Sequence, residues 1–101
     1  MAYEVVILDE AQREFRSIID YLCNVLESPQ ATAAFMEEFE HQVSLIADNP
    51  ELFALSRLPE LATRNYRTAH INKYIMLYKV EGDLIAIAHI FHQTQDYARL
   101  V

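Results

Sequence analysis

Only one glycine occurs in this chain, Gly82, and it stands between two stretches, residues 73–80 and 84–91, that are rich in Ile, Leu, Val, Tyr and Phe. Glycine adopts a backbone φ above zero without steric penalty, which a tight turn between paired strands requires. The pattern predicts a β-hairpin turning at Glu81, Gly82 and Asp83. The same scarcity narrows the chemistry. Phosphate-cradling loops of the GxxxxGK[ST] or GxGxxG kind need clustered glycines, and neither pattern occurs, nor do CxxC, HExxH or GxSxG. Glycine-loop nucleotide hydrolysis and zinc catalysis are argued against, and no cofactor is expected.

Upstream of the hairpin the hydrophobic period changes. Residues 3–8 form an apolar, β-branched run that reads as a strand. Asp9 follows as a helix N-cap, with Gln12 three residues later completing a capping box. Ala11, Phe15, Ile18, Ile19, Leu22, Val25 and Leu26 then recur at spacings of three and four, on one helical stripe. Cys23, the single cysteine, lies inside this pattern and is expected as a buried, inert thiol. Ser28 and Pro29 give a cap and a first-turn proline for a second helix, whose stripe is Ala31, Phe35, Phe39, Val43 and Ile46 and whose stop is Asp48, Asn49 and Pro50. Two amphipathic helices on a short turn make an antiparallel hairpin.

Residues 50–63 hold no sustained period and read as a connection with a helical turn near 51–55. Residues 66–71 read as a further strand. On the last strand Leu84, Ala86, Ala88 and Ile90 share one face, where small side chains let a helix approach, and Ile85, Ile87, His89 and Phe91 share the other. The expected architecture is α+β, in the order β-α-α-β-β-β, with the helical hairpin on one face of a mostly antiparallel sheet. At 101 residues the chain is expected to be one domain over 1–101.

Hydrophobic residues make up 52 % and charged residues 23 %, the balance of a packed domain. No apolar run approaches the roughly 18–20 residues of a membrane span, and Met1, Ala2, Tyr3 and Glu4 do not open a basic leader. A cytoplasmic protein is expected. The net charge of −7 opposes a nucleic-acid partner until its distribution is considered. Residues 1–55 carry two basic against eleven acidic side chains, and residues 56–101 six against four, or −9 against +2. One reading is a solvated acidic helix surface; the other is a polarised molecule whose C-terminal half meets an anionic partner.

The groups that could carry chemistry gather in that second half: Arg64, Arg67, His70, Lys73, Tyr74, Tyr78, His89, His92 and Tyr97. His89 and His92 are three apart on a strand and point to opposite faces, so no metal site is expected. The order strand, helix, helix, then Arg64, Asn65, Tyr66 and Arg67, then Tyr74 to Tyr78, then Ile87 to His92 and a closing Asp96 and Tyr97, resembles the RelE/ParE toxin superfamily over essentially the whole chain. The sequence departs from that family where a basic Gly-Arg-Arg-Asp run is usual, since Gln93, Thr94, Gln95 and Asp96 stand there.

The resemblance implies the toxin half of a bacterial type II toxin–antitoxin module that arrests growth. In the RelE branch this would be ribosome-dependent messenger RNA cleavage, with Arg67, His92 and Tyr97 catalytic and Arg64, Lys73, His89 and Gln95 binding the RNA or target. Cations would stabilise the phosphorane charge, and His92 would serve as general acid or base. In the ParE branch it would be non-enzymatic inhibition of DNA gyrase through protein contacts, which the loss of basic residues at 93–95 favours. A third reading is a module whose toxicity has decayed. The implied partners are a cognate antitoxin and either the ribosome with its message or gyrase; a homodimeric copy is also allowed, and a membrane is not among them.

Overall fold

Four residues of strand β1 (Glu4–Ile7) lead directly into helix α1 (Asp9–Asp20) in a computed structural model that describes residues 3–101. Met1 and Ala2, the first residues of the segment expected not to open a basic leader, lie outside them. Asp9 is not the cap expected of it: Leu8 occupies that position without a side-chain bond, and Gln12 instead donates through Nε2 to the Ile7 carbonyl at 2.8 Å. The helix follows the strand so closely that this bond ties its first turn to the strand's last carbonyl.

The helix continues as a π-helical turn, Tyr21–Val25, in which the Leu26 N–H reaches back to the Tyr21 carbonyl at 2.9 Å. The wider turn rotates everything after Leu22 away from the stripe. Cys23 is therefore exposed rather than buried, and Val25 and Leu26 are also exposed. Glu27, at φ 51°, ends the segment in the left-handed region. Ser28 then caps α2 (Pro29–Asp48), its Oγ accepting from the Ala31 N–H at 3.1 Å. The apolar stripe of α2 buries Phe35, Phe39 and Ile46.

After α2 the chain bends through residues 50–56 and makes one turn of helix, α3 (Pro59–Ala62), so the helical turn lies downstream of the expected 51–55. Pro59 supplies its start, and Asn65, at φ 64°, redirects the chain into β2 (Arg67–Ile71). β3 (Tyr74–Glu81) follows through a second tight turn at Asn72 and Lys73, Asn72 taking φ 55° as asparagine readily does. Gly82, at φ 61°, then turns β3 into β4 (Leu84–His92) as expected. A short 3₁₀ turn, Tyr97–Arg99, follows.

The strands are ordered β1-β4-β3-β2; β1 runs parallel to β4 and the other pairs are antiparallel. The fold is α+β with the helical hairpin on one face, as the sequence order implied. Among the described residues no helix is long and apolar enough to cross a membrane.

The faces of β4 differ from the simple alternation. Leu77 pairs with His89 but Tyr78 pairs with Ile87, so Ala88 is an extra residue and the phase changes there. Ile85, Ile87 and Ile90 face the helices with Ala69, Ile71, Met76 and Tyr78, whereas Ala88 and Phe91 join Leu61, Tyr66, Ile75 and Leu77 on the opposite face. The helices thus lie on isoleucines rather than on the small residues expected. Each fully buried Ile or Phe contributes about 1.5–3 kcal/mol, and the Phe15, Phe35, Phe39 and Tyr74 rings, 4.8–5.5 Å apart, bind the hairpin to the sheet.

Candidate functional site

At the far end of the sheet from Gly82, the β2–β3 turn and the last residues of β4 stand opposite the helical hairpin. The opening between them is a trough of about 790 Å³, with Ile18, Tyr21, Leu22, Leu26 and Phe35 among its apolar lining and Lys73 and His92 on its sheet side. A smaller trough of about 460 Å³ lies between α1 and the end of β4, lined by Glu10, Arg13, Glu14, Gln95 and Leu100 among others. Tyr74 and His92 form a shared wall.

His92 is held in a defined state. The Thr94 N–H donates to its Nδ1 at 3.2 Å, and the Thr94 hydroxyl lies 2.7 Å from the same nitrogen. Nδ1 is then the acceptor, and in the neutral ring the proton sits on Nε2. The outer nitrogen therefore offers a hydrogen bond rather than a lone pair. Tyr74 packs its ring edge against the imidazole at 5.2 Å. Burial, and after it the adjacent Tyr21 phenol, raises the Tyr74 hydroxyl above its ordinary value of 10.0, so Tyr74 stays protonated at neutral pH.

Of the residues expected to act together, Lys73, His92 and Gln95 meet at this end of the sheet. The others do not. Arg67 begins β2 on the helix side and donates through Nη1 to the Phe53 carbonyl at 2.6 Å. It pairs with Tyr78, while Tyr74 pairs with His92. Four residues along and two strand spacings across put Arg67 and His92 roughly 16 Å apart between Cα atoms. Arg64 lies over the Tyr66 ring at 5.4 Å, on the face away from the helices, with Lys79 at 4.4 Å from the same ring. Tyr97 stacks on Phe91, 6.2 Å between centroids, also on that face.

His89 stacks on Phe91 at 5.0 Å and reaches over the open edge of β4 to Glu14, Nδ1 to Oε2 at 3.1 Å. Their side chains are 13 % and 21 % exposed. The other Glu14 oxygen accepts the Ile90 N–H at 2.9 Å. Glu14 was not singled out from the sequence, where it is one of several acids on the polar side of α1. Only β1 ending at Ile7, short of the length of β4, makes it a strand substitute. Tyr78 is a core residue: it is fully buried and its hydroxyl donates to the Pro50 carbonyl at 2.9 Å.

The sequence model described as "ParE toxin of type II toxin-antitoxin system, parDE" matches residues 5–97. No curated protein matches the chain significantly. Among solved structures, the chromosomal ParDE toxin–antitoxin system of P. aeruginosa contains a similar chain, with a TM-score of 0.70 at 19 % identity over 90 % of this chain and 96 % of that one. The RelBE2 toxin–antitoxin complex of Mycobacterium tuberculosis gives 0.61 at 17 %, covering 91 % and 99 %. The E. coli DinJ–YafQ toxin–antitoxin complex gives 0.61 at 14 %, covering 99 % and 98 %.

Proposed function

The chain belongs to the ParE toxin family of type II toxin–antitoxin systems, and from that premise we propose that this toxin arrests growth by binding a protein target, DNA gyrase, without cutting RNA. A cognate antitoxin neutralises it. The observation that carries this reading is the Arg67 guanidinium bonded to the Phe53 carbonyl, two strands away from His92. Phosphoryl chemistry needs cations positioned around one phosphate. Here Arg64, Arg67 and His92 occupy separate places. The His92 Nδ1 lone pair is also taken by the Thr94 N–H, and burial keeps the Tyr74 hydroxyl protonated, so neither gives the trough a ready proton acceptor.

What the trough does offer is apolar surface with a few donors at its rim, the composition of a protein-binding surface. Tyr21 and Leu26 in its lining are exposed, as are Val25 and Met36 elsewhere on the hairpin.

The test is brief induction of the chain in bacteria, alone and with the protein encoded beside it. Growth arrest relieved by the second protein is expected, with plasmid supercoiling altered and message ends unchanged. New message ends at ribosomes, lost in His92→Ala with the fold intact, would replace this reading with RNA cleavage.

A further inference from the structure

β1 accompanies β4 only as far as Ile7, opposite Ile87, and the Leu8 N–H makes the last bond, to the Ile87 carbonyl at 2.9 Å. β4 continues to His92. Among the described residues no strand lies beside this final stretch on the β1 side. Alternate residues of a strand send their N–H groups to the same edge. The Gln93 N–H bonds toward β3, to the Lys73 carbonyl at 2.9 Å, so those of Ile90 and His92 face the open side.

Both are occupied by side-chain oxygens. Glu14 Oε1 accepts from Ile90 at 2.9 Å, and Gln95 Oε1 accepts from His92 at 2.7 Å. Two oxygens bonding residues two apart on one edge stand where the carbonyls of a neighbouring strand would stand. The smaller trough lies alongside them.

We propose that this part of β4 is a masked sheet edge, at which an extended segment of the antitoxin adds as a strand in line with β1. Its carbonyls replace the Glu14 and Gln95 oxygens at the Ile90 and His92 amides. The inference rests on the antitoxin pairing proposed above. The lining fixes the chemistry of the segment. Ile18 and Tyr74 call for an apolar side chain toward the helices, and Glu14 for a neighbouring Lys or Arg, since Glu10 is already paired with Arg13. When Oε1 of Glu14 is displaced it becomes available to that cation, while Oε2 stays on His89. A second copy of this chain suits the edge poorly, because its charge of −7 is of the same sign as these carboxylates. Gln95 is exposed and sits three residues from the amide it covers, so its side chain can swing away without disturbing the strand.

The test is amide exchange and backbone NOE measurement by NMR on the full chain, free and mixed with the protein encoded beside it. In the complex, the His92 amide should gain at least about tenfold protection, with NOEs from partner Hα protons to the Ile90 and His92 amides. Gln95→Ala should speed His92 exchange in the free chain about fivefold and leave protection in the complex intact. A complex that forms while His92 exchanges at its free rate would overturn the inference. So would protection by a partner segment giving helical NOEs. If no complex forms, the antitoxin reading itself fails and this one goes with it.

Discussion

Arg67→Ala separates a structural arginine from a catalytic one. In this chain the Arg67 guanidinium holds the Phe53 carbonyl at 2.6 Å, Leu55 bridges to Arg67, and the Thr68 N–H reaches the Ala54 carbonyl at 3.3 Å. The arginine therefore fastens residues 53–55 along the outer edge of β2. A hydrogen bond from a charged donor contributes about 1.5–3 kcal/mol, and partial exposure of Arg67 puts the expected loss toward the lower end, about 1.5–2 kcal/mol. For a chain of this length that is a fall in Tm of roughly 6–15 °C. Thermal unfolding followed by circular dichroism measures it. Growth arrest should weaken only as far as the folded fraction falls, and lowering the growth temperature should restore it. A variant that melts within a degree of the parent yet has lost all toxicity would refute the reasoning, because Arg67 would then be touching the target or substrate.

Further outcomes follow from the core, a turn and a helix cap. Burial raises the Tyr78 hydroxyl above 10.0, against a smaller lowering by Arg67, so the folded state holds this proton more tightly than the unfolded chain does. Its contribution is complete below pH 10 and is lost as pH rises past 10; alkaline urea titrations should show this slope, and Tyr78→Phe should reduce it. The same variant at pH 7 leaves the Pro50 carbonyl without its donor and should lose about 1 kcal/mol. Gly82→Ala meets no atom within 4 Å but must hold φ +61°, so about 1–2 kcal/mol of backbone strain should appear in its unfolding curve, and Gly82→Asn should lose less. Ser28→Ala removes the cap of α2 and should destabilise by about 1 kcal/mol, read from the urea midpoint at unchanged slope.

The parts of the fold that local chemistry decides were legible in the sequence. Gly82 marks the hairpin it forms, and Ser28 with Pro29 starts the helix it caps. What escaped were changes of phase. The π turn after Asp20 removes Cys23, Val25 and Leu26 from the apolar stripe, and the extra residue at Ala88 shifts the alternation so that Ile90 shares the helix face with Ile85 and Ile87; a periodicity count assumes neither. The second tight turn left a usable signal in Asn72, since asparagine tolerates the left-handed region.

The candidate site was harder to read for a different reason. A basic residue type shows that a cation exists, but not what it bonds. Arg67 is committed to Phe53 and Arg64 to Tyr66, whereas Lys73, His92 and Gln95 do come together because the ends of β3 and β4 bring them there. The role of Glu14 depends on a strand ending early at Ile7, a length that no property of Glu14 encodes.

The most direct measurement is a titration of the purified chain into a gyrase supercoiling reaction, with ribosomes translating a defined message assayed in parallel. Supercoiling should fall as the chain approaches stoichiometry with the enzyme and recover when antitoxin is added, while the message stays whole. Unimpaired supercoiling beside a message cut on the ribosome would contradict the account.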